Sequence, residues 1–297
     1  MSHFLQPVFG QGFFTSGRVH LALAVGALVA VACAVVGVFA VIRRQAFASE
    51  ALSDVGAAGA SGAFLVGAGA LWGFLAAGAA GAGAMELLGV QRARGRDLAT
   101  GVVLGASLGL AALFLYLDTT QNSTTGVAVT VLFGSLFAFD SSTLPAVIAL
   151  SVGAVALIAA IHRPLLTSSL SAELAAARGI PVRLVGALYL LALALSVALA
   201  ALTIGAVLAT ALVVGPAAAA LRLARRPAAA VAVAVAIAVG ATSVGIVLAY
   251  DSYYWPPHGQ GWPVSFFIVA LILVFYLLAG ARGLTRRRWL TARAANR

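Results

Sequence analysis

Long apolar runs alternate along this chain with short polar intervals that carry arginine. The arginines fall into groups at residues 43–44, 92–96, 163–183, 222–226 and 282–297, and Arg18 stands apart. Each stretch between groups is long enough for two helical crossings of about 20 residues. Because basic residues accumulate on the cytoplasmic side of membrane proteins, the pattern predicts arginine groups on one face, joined by pairs of membrane helices. The N-terminus is then outside and the C-terminus is cytoplasmic.

The apolar runs predict an all-α, polytopic membrane helix bundle of about nine spans, within a range of about eight to ten. The predicted spans are 19–42, two within 49–90, 98–117, 144–161, 182–203, 205–221, 228–250 and 263–281. Residues 125–140 are too short to cross alone, so we expect a broken outer segment there. We expect residues 1–297 to form a single transmembrane domain that ends in a cytoplasmic basic tail, residues 282–297.

Composition supports a membrane protein and excludes a nucleic-acid-binding interpretation of the charge. Hydrophobic residues make up 63% of the chain and charged residues 9%, whereas a soluble domain has about 25% charged residues. The net charge of +10 is therefore assigned to orientation and to contacts with lipid headgroups. The single cysteine, Cys33, lies within a span and gives no disulfide framework.

Small residues and one proline mark two regions of the bundle. The stretch from Val55 to Ala84 is rich in Gly and Ala, and small residues let helices approach closely in lipid, so this hairpin is predicted to pack inside the bundle. Gly215-Pro216 is predicted to interrupt the seventh span, because proline frees a backbone carbonyl that lipid cannot satisfy. Such interruptions typically line a cavity, so these two residues are candidates for a pathway.

Two acidic residues in the second span are the strongest candidates for chemistry. Glu50 and Asp54 lie at positions i and i+4, so both carboxylates project from one helix face. Asp54 is about 15 Å beyond Arg44 along a helix, near the bilayer centre. Paired carboxylates repel unless a cation or proton lies between them, which predicts a cation site. The alternatives are a helix-dipole or arginine partner for Glu50, and a hydrogen-bonded, protonated buried acid for Asp54.

Other acidic residues lie near the predicted outer face. Asp118, Asp140 and Asp251 could together attract cations to an outer mouth, and His258 could meet a metal there. The alternative for each is a solvated loop residue without a role in transport. Asp118, Asp251 and His258 are the candidate mouth residues.

The polar segment from residue 167 to residue 179 predicts a cytoplasmic surface helix between spans. Ser171 is placed to cap it, and Gly179 and Pro181 to end it. Its candidate contact residues are Leu170, Glu173, Leu174, Ala177 and Gly179. The chain has no nucleotide-binding loop, no His-Glu-x-x-His and no serine or cysteine triad. We therefore expect a protein that is not an enzyme, does not hydrolyse ATP and holds no permanent cofactor.

Several segments, in this order, resemble the permeases of ABC-type importers for manganese, zinc or iron. The resemblance covers roughly residues 14–278. The segments are 37–44, 50–54, 96–101, Leu132-Phe133-Gly134, 172–179 and 205–218. The family's Asp-Ala-x-Ser-His pattern falls on Glu50-Ala51-Leu52-Ser53-Asp54. The family's two metal ligands therefore correspond to Glu50 and Asp54, and carboxylate in place of imidazole favours a hard cation such as Mn²⁺.

The resemblance implies a type II importer-like fold in the bacterial plasma membrane, with a divalent metal ion as substrate. It implies that two copies form the pathway, that two cytoplasmic ABC ATPase subunits dock on residues 167–179, and that an extracellular or periplasmic metal-binding protein delivers the ion. Two alternatives stay open. One is a stand-alone proton- or ion-coupled cation carrier, which would need no docking helix. The other is a permease of the iron-chelate or cobalamin type.

Overall fold

A computed structural model of the protein describes residues 16–88, 96–121, 125–134, 136–138, 141–255 and 261–295. Within these ranges the chain is helical and contains no strand. The helices are α1 (Gly17–Ile42), α2 (Ala46–Leu65), α3 (Ala70–Leu87), α4 (Arg96–Gln121), α5 (Thr125–Phe133), α6 (Leu144–Leu170), α7 (Ala172–Ala177), α8 (Val182–Ile204), α9 (Ala206–Leu223), α10 (Pro227–Asp251) and α11 (Val264–Ala295). Short 3₁₀ turns occupy Leu136–Ala138, Ser141–Thr143 and Ser252–Tyr254.

Eight of the described helices are long and apolar enough to cross a membrane: α1, α3, α4, α6, α8, α9, α10 and α11. The remaining long helix, α2, has 20 residues, or about 30 Å, which is also a membrane thickness. It is more polar than the others, and it packs against α3, α4, α8 and α9. The prediction of an all-α bundle with about nine spans is therefore confirmed.

The centre of the bundle is built by α1 and α8, whose residues are mostly buried. Helix α1 contacts α6, α8, α9 and α10, and α8 contacts α3, α6 and α9. The largest enclosed side chains on α8 include Tyr189, Leu193 and Leu199. Lipid provides no hydrophobic driving force between helices, so close packing of such side chains holds the bundle together.

Glycines bring α2 and α3 into backbone contact. A Cβ on Gly59 would lie 2.2 Å from the Cβ of Ala77, and a Cβ on Gly73 would lie 2.3 Å from the carbonyl oxygen of Gly59. Neither position has room for a larger residue. The predicted packing inside the bundle therefore holds for α2, whereas α3 lies at the edge of the bundle, with Trp72 and Leu87 68% and 91% exposed.

Three helix boundaries differ from the sequence-based expectation. Helix α4 continues to Gln121, so Asp118 is helical. Helix α6 continues through Pro164 to Leu170, beyond the predicted end at residue 161. Helix α9 is continuous from Ala206 to Leu223 with Pro216 inside it. Polar or proline-containing sequence does not end a helix when neighbouring helices supply packing and alternative hydrogen bonds. The predicted broken segment does form, as α5 and the short turns after it, and its place at the outer face stays a prediction.

Candidate functional site

Three sides of α2 are occupied by other helices. The Ser53 hydroxyl donates a hydrogen bond of 2.6 Å to the Ala206 carbonyl in the first turn of α9. A Cβ on Gly56 would meet Phe74 of α3, and a Cβ on Gly62 would meet Phe114 of α4. Helical periodicity puts Glu50 and Asp54 on the remaining side, between the faces turned to α4 and α9. Both are half-buried.

The Glu50 and Asp54 side of α2 is covered at one end and open at the other. Ala58 and Ser61 share this side towards Leu65, and both are buried. Phe47 shares it at the opposite end and is 47% exposed. Helix α5 contacts α2 as well as α4, α8 and α9. The two carboxylates therefore lie where an enclosed stretch of α2 gives way to an accessible one.

The pair by itself is an incomplete metal site. The carboxylate oxygens of Glu50 and Asp54 can accept hydrogen bonds or bind a cation, but they donate no hydrogen bond. The Cβ atoms of side chains at positions i and i+4 lie about 6 Å apart. No group of three or more His, Cys, Asp or Glu side chains that could hold a metal ion occurs among the described residues. One chain thus offers two carboxylates, while hard divalent cations take roughly six oxygen ligands.

A glycine junction fixes the start of α9 beside this site. Gly134, which ends α5, has φ 77°, and Gly205, between α8 and α9, has φ 92°. A Cβ on Gly205 would lie 2.1 Å from the Leu132 carbonyl oxygen, and a Cβ on Gly134 would lie 2.4 Å from the Thr203 carbonyl oxygen. Only glycine allows both this backbone conformation and this approach. The roles of Gly205 and Ser53 were not predicted from the sequence. For Gly205, the sequence signal that could have indicated a helix junction is an isolated glycine between two apolar runs.

The predicted interruption at Gly215-Pro216 is wrong. Helix α9 runs without a break across both residues, and the interruption between apolar runs falls at Gly205. Close packing surrounds the proline: a Cβ on Gly37 of α1 would lie 1.8 Å from the Val213 carbonyl oxygen, and a Cβ on Gly215 would lie 2.3 Å from the Ile272 side chain of α11. A role for Gly215 and Pro216 in lining a pathway stays a prediction.

The candidate mouth residues are not alike. Asp118 is 1% exposed within α4, so the alternative of a solvated loop residue is wrong for it, and its role at a mouth stays a prediction. Asp251 is half-buried and is the last residue of α10, and its role at a mouth stays a prediction. Asp140 and His258 lie outside the described residues.

The predicted docking segment is exposed but its helix is shorter than expected. The Ser171 hydroxyl accepts a hydrogen bond of 3.2 Å from the Leu174 backbone N–H, which confirms it as the N-cap of α7. Leu170 and Leu174 are 88% and 62% exposed, and Ala175 beneath them is fully buried. Glu173, Ala177 and Gly179 are exposed as well. The surface helix is Ala172–Ala177 rather than residues 167–179, because residues up to Leu170 continue α6.

A family model decides the broad assignment of this bundle. The model of the ABC 3 transport family matches residues 18–280. The chain belongs to the ABC 3 transport family. It is accordingly a transport permease and a multi-pass protein of the bacterial cell membrane.

Curated relatives in this family carry a manganese transport name. The chain is 30% identical over 206 residues, 69% of each protein, to the manganese transport system membrane protein MntC of Halalkalibacterium halodurans. It is 26% identical over 219 residues to the protein of the same name from Listeria innocua, covering 74% of this chain and 77% of that protein.

Solved structures share the fold. PsaBC from Streptococcus pneumoniae in complex with Fab contains a chain that superposes with TM-score 0.76 at 21% identity, over 91% of this chain and 94% of that one. A metal-chelate type ABC transporter in an inward-facing conformation superposes with TM-score 0.70 at 15% identity, over 92% of this chain and 88% of that one. Both likenesses extend over more than 90% of this chain.

Proposed function

We propose that this chain is the membrane-spanning subunit of an ATP-driven importer of divalent transition-metal ions, with Mn²⁺ as the preferred substrate over Zn²⁺ and Fe²⁺. Two copies form the pathway, each docks one cytoplasmic ABC ATPase subunit, and an extracellular or periplasmic metal-binding protein delivers the ion. The observation that carries the proposal is the pair Glu50 and Asp54, half-buried on the one side of α2 that its packing leaves accessible.

The need for a second copy follows from ligand arithmetic. A cation between Glu50 and Asp54 of one chain has two carboxylates, and a two-fold axis beside this face of α2 would supply four. Four carboxylate groups with water approach the coordination that a hard divalent ion prefers. The exposed Phe47 on the same face is apolar surface that such a second copy would cover.

Mn²⁺ is favoured by the type of ligand. Carboxylate oxygen suits Mn²⁺, whereas Zn²⁺ binds imidazole and thiolate readily. The sequence has Asp54 at the position where the permeases of manganese, zinc or iron importers, which this chain resembles, usually have histidine. The names of the curated relatives point the same way, since they refer to manganese transport.

ATP dependence is inferred from the surface around α7. Leu170 and Leu174 are large apolar side chains that stand exposed beside Arg178, and an exposed apolar pair within a polar rim is typical of a protein contact. A stand-alone cation-coupled carrier has no use for such a surface. A permease for an iron chelate would have no use for paired carboxylates on α2, because a chelate presents its own ligands to the metal.

The experiment is transport by the assembled complex. The permease, a cytoplasmic ABC ATPase subunit and the metal-binding protein are reconstituted into liposomes, and Mn²⁺ and Zn²⁺ uptake are measured with and without ATP. The proposal expects ATP-dependent Mn²⁺ uptake that exceeds Zn²⁺ uptake. Uptake driven by a proton gradient without ATP would establish the carrier instead.

A further inference from the structure

We propose that Arg43 is a positioning residue that couples the ATPase-docking segment around α7 to the carboxylates of α2. The inference rests on the proposed function and adds to it the path by which movement of the docking surface reaches the metal site. Its basis is a set of hydrogen bonds at the point where α1, α2, α6 and α8 meet.

The Arg43 guanidinium reaches in three directions at once. Its Nη1 donates hydrogen bonds of 3.1 Å and 3.2 Å to the hydroxyl oxygens of Ser168 and Ser169 in the last turn of α6. Its Nε donates a hydrogen bond of 3.2 Å to the Gln45 side-chain oxygen. Its Cζ lies 5.1 Å from the ring centroid of Tyr189 on α8. A planar cation with several donors can make these contacts together, whereas a lysine ammonium cannot match the same geometry.

The two serines are oriented to accept from Arg43. Both hydroxyls donate to the Leu165 carbonyl, at 3.0 Å and 2.6 Å, which leaves their oxygen lone pairs for the guanidinium. Leu165 is fully buried, so this turn of α6 is firmly seated. Ser169 precedes Ser171, the N-cap of α7, by two residues. A displacement of α7 by a bound ATPase subunit therefore acts directly on the partners of Arg43.

The other side of Arg43 leads to the metal site. Residues 43–45 are the whole connection between α1 and α2, and Arg44 adopts a left-handed conformation with φ 55°, which makes the turn tight. Gln45 is the N-cap of α2 and is 1% exposed. Glu50 follows it by about 7.5 Å of helix. A displacement of Arg43 therefore moves α2 through this short connection. Because α2 carries Glu50 and Asp54, the displacement reaches both carboxylates.

The test compares variants of both ends of this link with a matched control in the complete reconstituted transporter. Arg43→Lys keeps the positive charge and removes the planar guanidinium with its several N–H donors. The double variant Ser168→Ala/Ser169→Ala removes the acceptors and leaves Arg43. Arg44→Lys is the control, because Arg44 is the exposed neighbour. The measured quantities are Mn²⁺ imported per ATP hydrolysed, ATPase subunits bound per permease, and folded permease per preparation.

We expect Arg43→Lys and the double serine variant each to import at least about fivefold fewer ions per ATP, the range of a moderate coupling between sites. ATPase binding and ATP hydrolysis stay as in the unaltered complex, and Arg44→Lys behaves as the unaltered complex does. Combining Arg43→Lys with the two serine changes causes no further loss, because all three act on one link.

A native ratio of ions to ATP in either variant overturns the inference, and so does an equal loss in Arg44→Lys. A fall in ATPase binding or folded protein that accounts for the lost transport also overturns it, since Arg43 would then be only structural. The same measurements distinguish failure of this inference from failure of the proposed function. If the unaltered complex imports Mn²⁺ and Asp54→Ala abolishes import while Arg43→Lys keeps the native ratio, only the inference about Arg43 is wrong.

Discussion

Gly134 and Gly205 lie backbone against backbone: a Cβ on Gly134 would come within 2.5 Å of the Gly205 amide nitrogen. Both have positive φ, 77° and 92°. The contact ties the end of α5 to the junction of α8 and α9. The next residue, Ala206, accepts the Ser53 hydrogen bond from α2. One pair of glycines therefore sets the position of α5 and α9 relative to the helix that carries Glu50 and Asp54.

Gly205→Ala is expected to destabilise the permease by about 2–4 kcal/mol, from backbone strain at positive φ and from overpacking. The added methyl would meet the Leu132 carbonyl oxygen at 2.1 Å. Thermal unfolding of the purified protein in detergent measures the change. Gly153→Ala is the control, because nothing lies within 4 Å of its added Cβ. Equal stability of both variants would show that the junction is not tight.

Asp54→Ala is expected to abolish Mn²⁺ uptake, because it removes half of the carboxylate ligands that the two copies are proposed to supply to the ion. Uptake is normalised to folded transporter, so loss of protein does not count as loss of function. Asp97→Ala, an exposed acid at the start of α4, is the control and keeps native uptake. Native uptake by Asp54→Ala would remove Asp54 from the pathway.

Asp54→His is expected to shift preference from Mn²⁺ towards Zn²⁺, since imidazole nitrogen suits zinc better than carboxylate oxygen does. The ratio of Zn²⁺ to Mn²⁺ uptake, measured with both ions in competition, should rise at least about tenfold, which corresponds to about 1.4 kcal/mol. An unchanged ratio in a folded, active variant would mean that residue 54 does not touch the ion.

Leu174→Glu is expected to weaken ATPase docking at least about tenfold, because a charge replaces an apolar contact at the centre of the surface around α7. Co-purification of the ATPase subunit checks this. Leu98→Glu, which adds a charge at an exposed leucine in the first turn of α4, should leave docking intact. Ala175 is unsuitable for this test because it is fully buried. Undiminished docking in Leu174→Glu would move the ATPase contact elsewhere.

Pro216→Ala is expected to retain most of the Mn²⁺ uptake, because α9 is already continuous through residue 216. Alanine also restores a backbone N–H and favours the helix. Uptake and the thermal unfolding temperature are measured together. Loss of uptake with unchanged stability would instead assign a functional role to the proline.

The sequence by itself determined the class of the protein and the position of its candidate site. The lengths of the apolar runs and the spacing of the arginines depend on the bilayer, which acts on each segment independently. The presence of about nine membrane helices could therefore be predicted from the local sequence pattern. The same holds for the Ser171 cap and for the shared face of Glu50 and Asp54, since both follow from helical spacing within a few residues.

Only the tertiary structure decided how those helices meet. The continuity of α9 through Pro216 and the burial of Asp118 depend on neighbouring helices distant in sequence. The hydrogen bonds from Arg43 to Ser168 and Ser169 and the contact of Gly134 with Gly205 join residues that no short-range pattern relates. Local propensity yields to such packing because, in lipid, close contact and satisfied backbone groups hold the bundle together.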